Sequence, residues 1–69
     1  LGRMMLRFVE NEVRRQGGRM LLIETSSRRS YEPTVRFYER AGYGEISRIK
    51  DFYRIEDDKV VFSKNLDRT

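Results

Sequence analysis

Tyr31-Glu-Pro-Thr-Val-Arg-Phe-Tyr-Glu-Arg-Ala-Gly-Tyr43 reads as a helix with both ends marked in the sequence. Pro33 falls in the first turn, where its missing N–H would have had no intrahelical partner. Glu32 sets a carboxylate at the positive end of the helix dipole. Gly42 follows the last helical residue and can take the left-handed conformation that closes a helix. Between these signals Val35, Tyr38 and Ala41, with Phe37 one step round, recur at spacings of three and four and make one face apolar. In the simplest reading that face packs on a core. In a sharper one the Tyr38 ring is packed while its hydroxyl is aimed into a site.

Upstream, Met20-Leu-Leu-Ile-Glu-Thr25 is short, apolar and almost without alternation, which suits a strand covered on both faces in a parallel or mixed sheet. The polar Thr25-Ser-Ser-Arg-Arg-Ser30 reads as the loop that joins it to the helix. Before it, residues 3–16 have helical periodicity. Met5, Phe8, Val9 and Val13 fall on one side, with Leu6 and Met4 near its edges; Arg7, Glu10, Asn11 and Arg14 fall on the other. Gly17-Gly18 ends this helix, and Arg14 and Arg15 place cations in its last turn.

Downstream, residues 43–50 form a strand whose Ile46 and Ile49 lie on opposite parities, so a bulge, a twist or two-sided burial is expected. Residues 51–58 read as a connection with Asp57-Asp58 as turn residues. Residues 59–66 alternate clearly: Val60, Phe62, Lys64 and Leu66 share one face, Val61, Ser63 and Asn65 the other. The last two strands then make an antiparallel hairpin. The expected fold class is α/β (α+β): helix, strand, helix, strand, strand, around a mixed sheet with a C-terminal antiparallel hairpin.

At 69 residues the chain is one domain or a piece of one, and a chain this short buries only about 60% of its unfolded surface. It has no cysteine and no histidine, which removes disulfides, thiolate and imidazole metal sites, and histidine-based triads. The carboxylates show no metal-loop spacing, so no metal is expected. No apolar run approaches a membrane span and no signal peptide is visible, so a cytoplasmic location is expected. The net charge of +4 favours an anionic partner. The chain begins with Leu1, so it is processed or belongs to a longer protein.

Gly2-Arg3 stand at a helix start, where free backbone N–H groups can hold an anion such as a phosphate. Ser26, Ser27 and Ser30 have no base at motif spacing and read as loop or capping hydroxyls. Glu24 reads as a rim carboxylate paired with an arginine, and Phe52 and Tyr53 as packing residues.

Taken together these segments resemble the C-terminal half of the GNAT superfamily of N-acetyltransferases. Phe37-Tyr-Glu-Arg-Ala-Gly-Tyr43 is similar to that family's aromatic-Tyr-x-x-x-Gly-aromatic motif, Met20–Ser27 to the strand and loop before it, and Arg48–Tyr53 and Asp57–Leu66 to the final two strands. The resemblance implies a single C-terminal part of an acetyltransferase domain over residues 1–69, with the N-terminal half absent. It implies an acyltransferase that moves an acetyl group directly from acetyl-CoA to an amine. Tyr38 would be the acid that protonates the leaving thiolate, and Gly2, Arg3, Tyr31, Thr34 and Phe37 would contact CoA. Leu1-Gly2 match the last two positions of the family's pyrophosphate loop; Tyr31 and Thr34 stand where the family often has Asn and Ala. The general base would lie outside these residues, so the isolated chain is expected to be inactive alone.

Two other readings stay open. A small basic module could bind nucleic acid through Arg14, Arg28, Arg29 and Arg48, with Tyr31 or Tyr53 stacking on bases. A non-catalytic domain of the same fold could dimerise through the exposed edge of the strand at 20–25.

Overall fold

The computed structural model describes residues 2–66; Leu1, the outer position of the expected pyrophosphate loop, lies outside them. The order of elements is α1 (Arg3–Arg15), β1 (Met20–Ser26), a short 3₁₀ turn (Arg29–Tyr31), α2 (Glu32–Arg40), β2 (Gly44–Arg54) and β3 (Asp57–Asn65). The expected α+β succession of helix, strand, helix, strand, strand is therefore present.

The two helices end where the glycines suggested. After α2, the Gly42 N–H donates to the Glu39 carbonyl (3.1 Å) and the Tyr43 N–H to the Tyr38 carbonyl (3.0 Å). Gly42 has φ +101°. This is a Schellman closure, whose accompanying side-chain contact here is between Tyr38 and Tyr43, with ring centroids 5.7 Å apart. After α1, Gly17 and Gly18 donate in the same way to Arg14 and Val13.

The three strands lie in the order β1-β3-β2, and both pairings are antiparallel. β1 and β2 consequently run parallel to one another but do not touch, because β3 is inserted between them. The β1 pattern had suggested a parallel or mixed sheet; the parallel relation exists across the α2 crossover, while each described ladder is antiparallel. Cover on both faces of β1 is not provided by these residues. Leu21 and Ile23 pack against the core, whereas Met20 and Leu22 on the other face are exposed.

The core lies between one sheet face and the helices. Leu6, Ala41, Tyr43, Val60 and Phe62 form its buried cluster, with Val35, Phe37 and Tyr38 packed against it. Val60, Phe62 and Leu66 are all buried, as their alternation along β3 requires.

Two expectations need correction. The face of α1 that meets the core is centred on Leu6 and Glu10, not on Met5 and Phe8. Glu10 is only 6% exposed while Met4 and Phe8 are 86% and 61% exposed. Periodicity identified the apolar arc, but not which part of it meets the sheet; Glu10 is tolerated inside because its carboxylate has two partners there. The second correction concerns the hairpin. β2 continues to Arg54, the turn is only Ile55-Glu56, and Asp57-Asp58 open β3. The expected irregularity of β2 is present as register shifts between Glu45 and Ser47 and between Ile49 and Arg54. At the second, Asp51 has φ +57°. Its N–H donates to Asp58 Oδ1 (2.9 Å), and its own carboxylate accepts from the Glu56 N–H (2.7 Å).

Candidate functional site

Tyr38 is in the last turn of α2, on the stripe that faces the core. Its ring is gripped edge-on by Phe37 at 5.4 Å and by Tyr43 at 5.7 Å between centroids. Its hydroxyl has no hydrogen bond among the described residues, although no buried side-chain polar atom among them is left unmatched. Pro33, Thr34, Phe37 and Tyr38 together line an open hollow of about 220 Å³. The spacing of Thr34 and Tyr38, one turn apart, puts both on this surface. The helix therefore presents a donor and a second hydroxyl on one wall, beside an aromatic ring.

The other expected contacts are elsewhere. Gly2 is the residue before the first turn of α1, in an extended conformation, and no side chain caps the helix. No acidic residue is in that first turn, and a Cβ built on Gly2 would meet nothing within 4 Å. The amides of the first turn are thus open to an anion, at the end of the helix where the dipole favours one. The Arg3 side chain borders a small hollow of about 70 Å³ with Arg7, Glu10 and Lys64. Tyr31, at the end of the 3₁₀ turn, is not on the Tyr38 hollow. It borders a different one of about 350 Å³ with Glu24, Tyr53, Arg54 and Asp57. The structure therefore brings Thr34, Phe37 and Tyr38 together and leaves Gly2, Arg3 and Tyr31 apart from them.

The serines have structural partners. Ser26 Oγ donates to the buried carboxylate of Asp57 and accepts from the Arg28 N–H (3.0 Å). Ser27 Oγ accepts from the Asp58 N–H (2.7 Å). Glu24 is paired at the rim, with Lys59 (3.2 Å) rather than with an arginine. Among the described residues no group of three metal-ligating side chains occurs.

One polar cluster escaped the sequence reading. The Tyr43 hydroxyl donates to Glu10 Oε2 at 2.7 Å, and both residues are buried. Lys64 Nζ donates to the same carboxylate (3.2 and 3.4 Å) and to the Ala41 carbonyl (2.8 Å). Burial first, then the hydrogen bond and charge of Glu10, push the Tyr43 phenol far above its ordinary range, so it remains a donor. The available signal was Lys64 itself, a cation in the apolar alternation of β3.

No family model and no curated protein matches the chain. Among solved structures, it is similar to a protein of Desulfovibrio desulfuricans assigned as an acetyltransferase of the GNAT family, with 47% identity and a TM-score of 0.90. The match covers 93% of this chain but only 41% of that protein. With that identity and that superposition across nearly all of its residues, the chain is a partial GNAT fold, similar to somewhat less than half of a GNAT-family acetyltransferase.

Proposed function

We propose that these residues are the C-terminal part of an N-acetyltransferase domain that transfers an acetyl group from acetyl-CoA to an amine, with Tyr38 as the general acid. The observation that carries this reading is the placement of Tyr38: a ring clamped on two sides, in a residue that lines an open hollow with Thr34 and Phe37. The open first turn of α1 at Gly2 and Arg3 fits the pyrophosphate of CoA. Tyr31 is proposed to contact CoA from its separate hollow.

Bound acetyl-CoA supplies a thioester whose carbonyl an amine can attack. As the carbon–nitrogen bond forms and the carbon–sulfur bond breaks, Tyr38 gives its proton to the departing thiolate. A phenol can do this at hydrogen-bond distance from the sulfur. The amine's proton goes to a base outside these residues. The location is proposed to be cytoplasmic; no helix among the described residues is long and apolar enough to cross a membrane.

The nucleic-acid reading is less well supported. Two of its four arginines are engaged within the fold: Arg14 with Asn11 and the Leu66 carbonyl, Arg48 with Glu45 and Asp58. Dimerisation remains compatible, because β1 is an edge of the sheet.

The test is Tyr38→Phe in the full-length protein, assayed by CoA release from acetyl-CoA over a panel of primary amines. The chain contributes no cysteine to interfere with a thiol reagent. The expected result is a fall in kcat of about 10²-fold with acetyl-CoA affinity nearly kept. A kcat within about twofold, with chemistry rate-limiting, would remove Tyr38 from the mechanism.

A further inference from the structure

We propose that Glu10, Lys64 and Tyr43 form a positioning device that fixes the orientation of the Tyr38 ring, a role that rests on reading Tyr38 as the acid.

Tyr38 has no hydrogen bond of its own among the described residues to set its phenol. Its direction is set by neighbours. One is Phe37, on the same helix. The other is Tyr43, which the Schellman closure of α2 folds back against it at 5.7 Å, with the rings inclined by 65°. An edge-to-face contact is directional only if the second ring is itself fixed. Tyr43 is fixed at its far end, where its hydroxyl donates to Glu10 at 2.7 Å.

Glu10 belongs to α1 and Lys64 to β3, so the clamp on Tyr43 is anchored in two other elements. Lys64 also caps α2 through the Ala41 carbonyl. Its Cε lies 3.3 Å from where a Cβ on Gly42 would be, so its stem runs directly under the helix closure. A nine-residue helix closed by glycine needs no buried ion pair, and apolar residues in place of such a pair are often as stabilising or more so. What the charged cluster adds is a fixed geometry. The raised Tyr43 phenol keeps its proton, so the donor that holds the clamp persists throughout the working pH range. The same helix that carries Glu10 begins at Gly2 and Arg3, so an anion seated there and the Tyr38 phenol share one rigid support.

The experiment uses the full-length protein with 3-fluorotyrosine placed at position 38, followed by fluorine NMR and by kinetics with acetyl-CoA and a primary amine. The parent should give one sharp resonance. Tyr43→Phe keeps the second ring but frees it, and Lys64→Met releases the carboxylate and the cap. Both should broaden or split the resonance. Both should also lower kcat by roughly ten- to a hundredfold, with the acetyl-CoA KM within about twofold. Glu10→Gln, which leaves Tyr43 an oxygen to donate to, should keep the resonance single.

An unchanged resonance in Tyr43→Phe overturns the proposal, whether or not Lys64→Met folds. So does a moved resonance with unaltered kcat where Tyr38→Phe is costly. Failure of the acid reading appears separately, as a Tyr38→Phe variant with full kcat. In that case the resonance alone decides whether the cluster holds the ring.

Discussion

Lys64→Met is the substitution whose cost follows most directly from the geometry. The ammonium group contacts both oxygens of Glu10 and one backbone carbonyl, and the two side chains are 27% and 8% exposed. Removing one partner of a fully buried pair costs about 3–5 kcal/mol, because the other charge is left uncompensated. Here the lysine is partly open to water, so screening reduces the figure to about 2–3 kcal/mol. Of this, about 1 kcal/mol belongs to the lost bond to the Ala41 carbonyl. A whole domain has roughly 5–15 kcal/mol in total, so the loss is a substantial share of it. Glu10→Gln removes the charge and keeps the shape, so in that background Lys64→Met should cost only the carbonyl bond, about 1 kcal/mol. The coupling in the double-mutant cycle is then about 1–2 kcal/mol. Urea denaturation of the full-length protein followed by far-UV circular dichroism measures it. Equal costs of Lys64→Met in the two backgrounds would refute the view that charge pairing holds the cluster.

Other expectations follow from separate parts of the molecule. A Cβ at Gly2 would meet no atom within 4 Å, so Gly2→Val should fold with only the modest loss of a poorer N-cap, while calorimetry should show weaker binding of acetyl-CoA; unchanged affinity would remove the α1 start from the CoA site. The Asp58 carboxyl is held below its ordinary value, first by the Asp51 N–H and then by Arg48. A depressed group contributes stability above its unfolded value near pH 4, and that contribution is lost as pH falls through the folded value. The Asp51 amide NMR resonance should therefore move on acidification below pH ~4, and in Asp58→Asn this titration should disappear. The isolated 69 residues, with an apolar sheet edge at β1 and Met4, Met5 and Phe8 exposed, should self-associate. A stable monomer at high concentration in sedimentation would contradict this.

Local signals were the legible part of the fold. Pro33, Gly42 and Gly17-Gly18 act through their own backbone geometry, and each helix begins or ends where they direct. The alternation from Val60 to Leu66 likewise needs no knowledge of partners. The hairpin was misplaced because its turn has no such residue. Glu56 has φ +66° without being glycine or asparagine, and the bend is supported by the carboxylates of Asp51 and Asp58 binding backbone N–H groups. Asp57-Asp58 read as a turn by residue type, yet Asp57 is buried against Ser26. The rotation of α1 was out of reach for a different reason. A helix with apolar residues over much of its circumference does not say which of them its own sheet covers.

For the candidate site the division is similar. Thr34, Phe37 and Tyr38 share a wall because they share a helix, so their grouping could be read from spacing. Gly2 and Tyr31 depend on how separate elements are arranged, and no spacing reports that. The cluster of Glu10, Tyr43 and Lys64 joins residues 33 and 54 positions apart, and of its charged members only Lys64 disturbs a pattern visible in the sequence. Glu10 reads with Arg7, Asn11 and Arg14 as part of a polar face, and only the structure shows it buried four residues after Leu6. Lys64 interrupts Val60, Phe62 and Leu66. A carboxylate on one buried face and an ammonium on another are costly separately and tolerable together. Lys64, the visible anomaly, therefore calls for an opposite charge nearby, and the structure supplies Glu10. That pairing places α1 against β3 beside the end of α2, which is the arrangement that supports Tyr38.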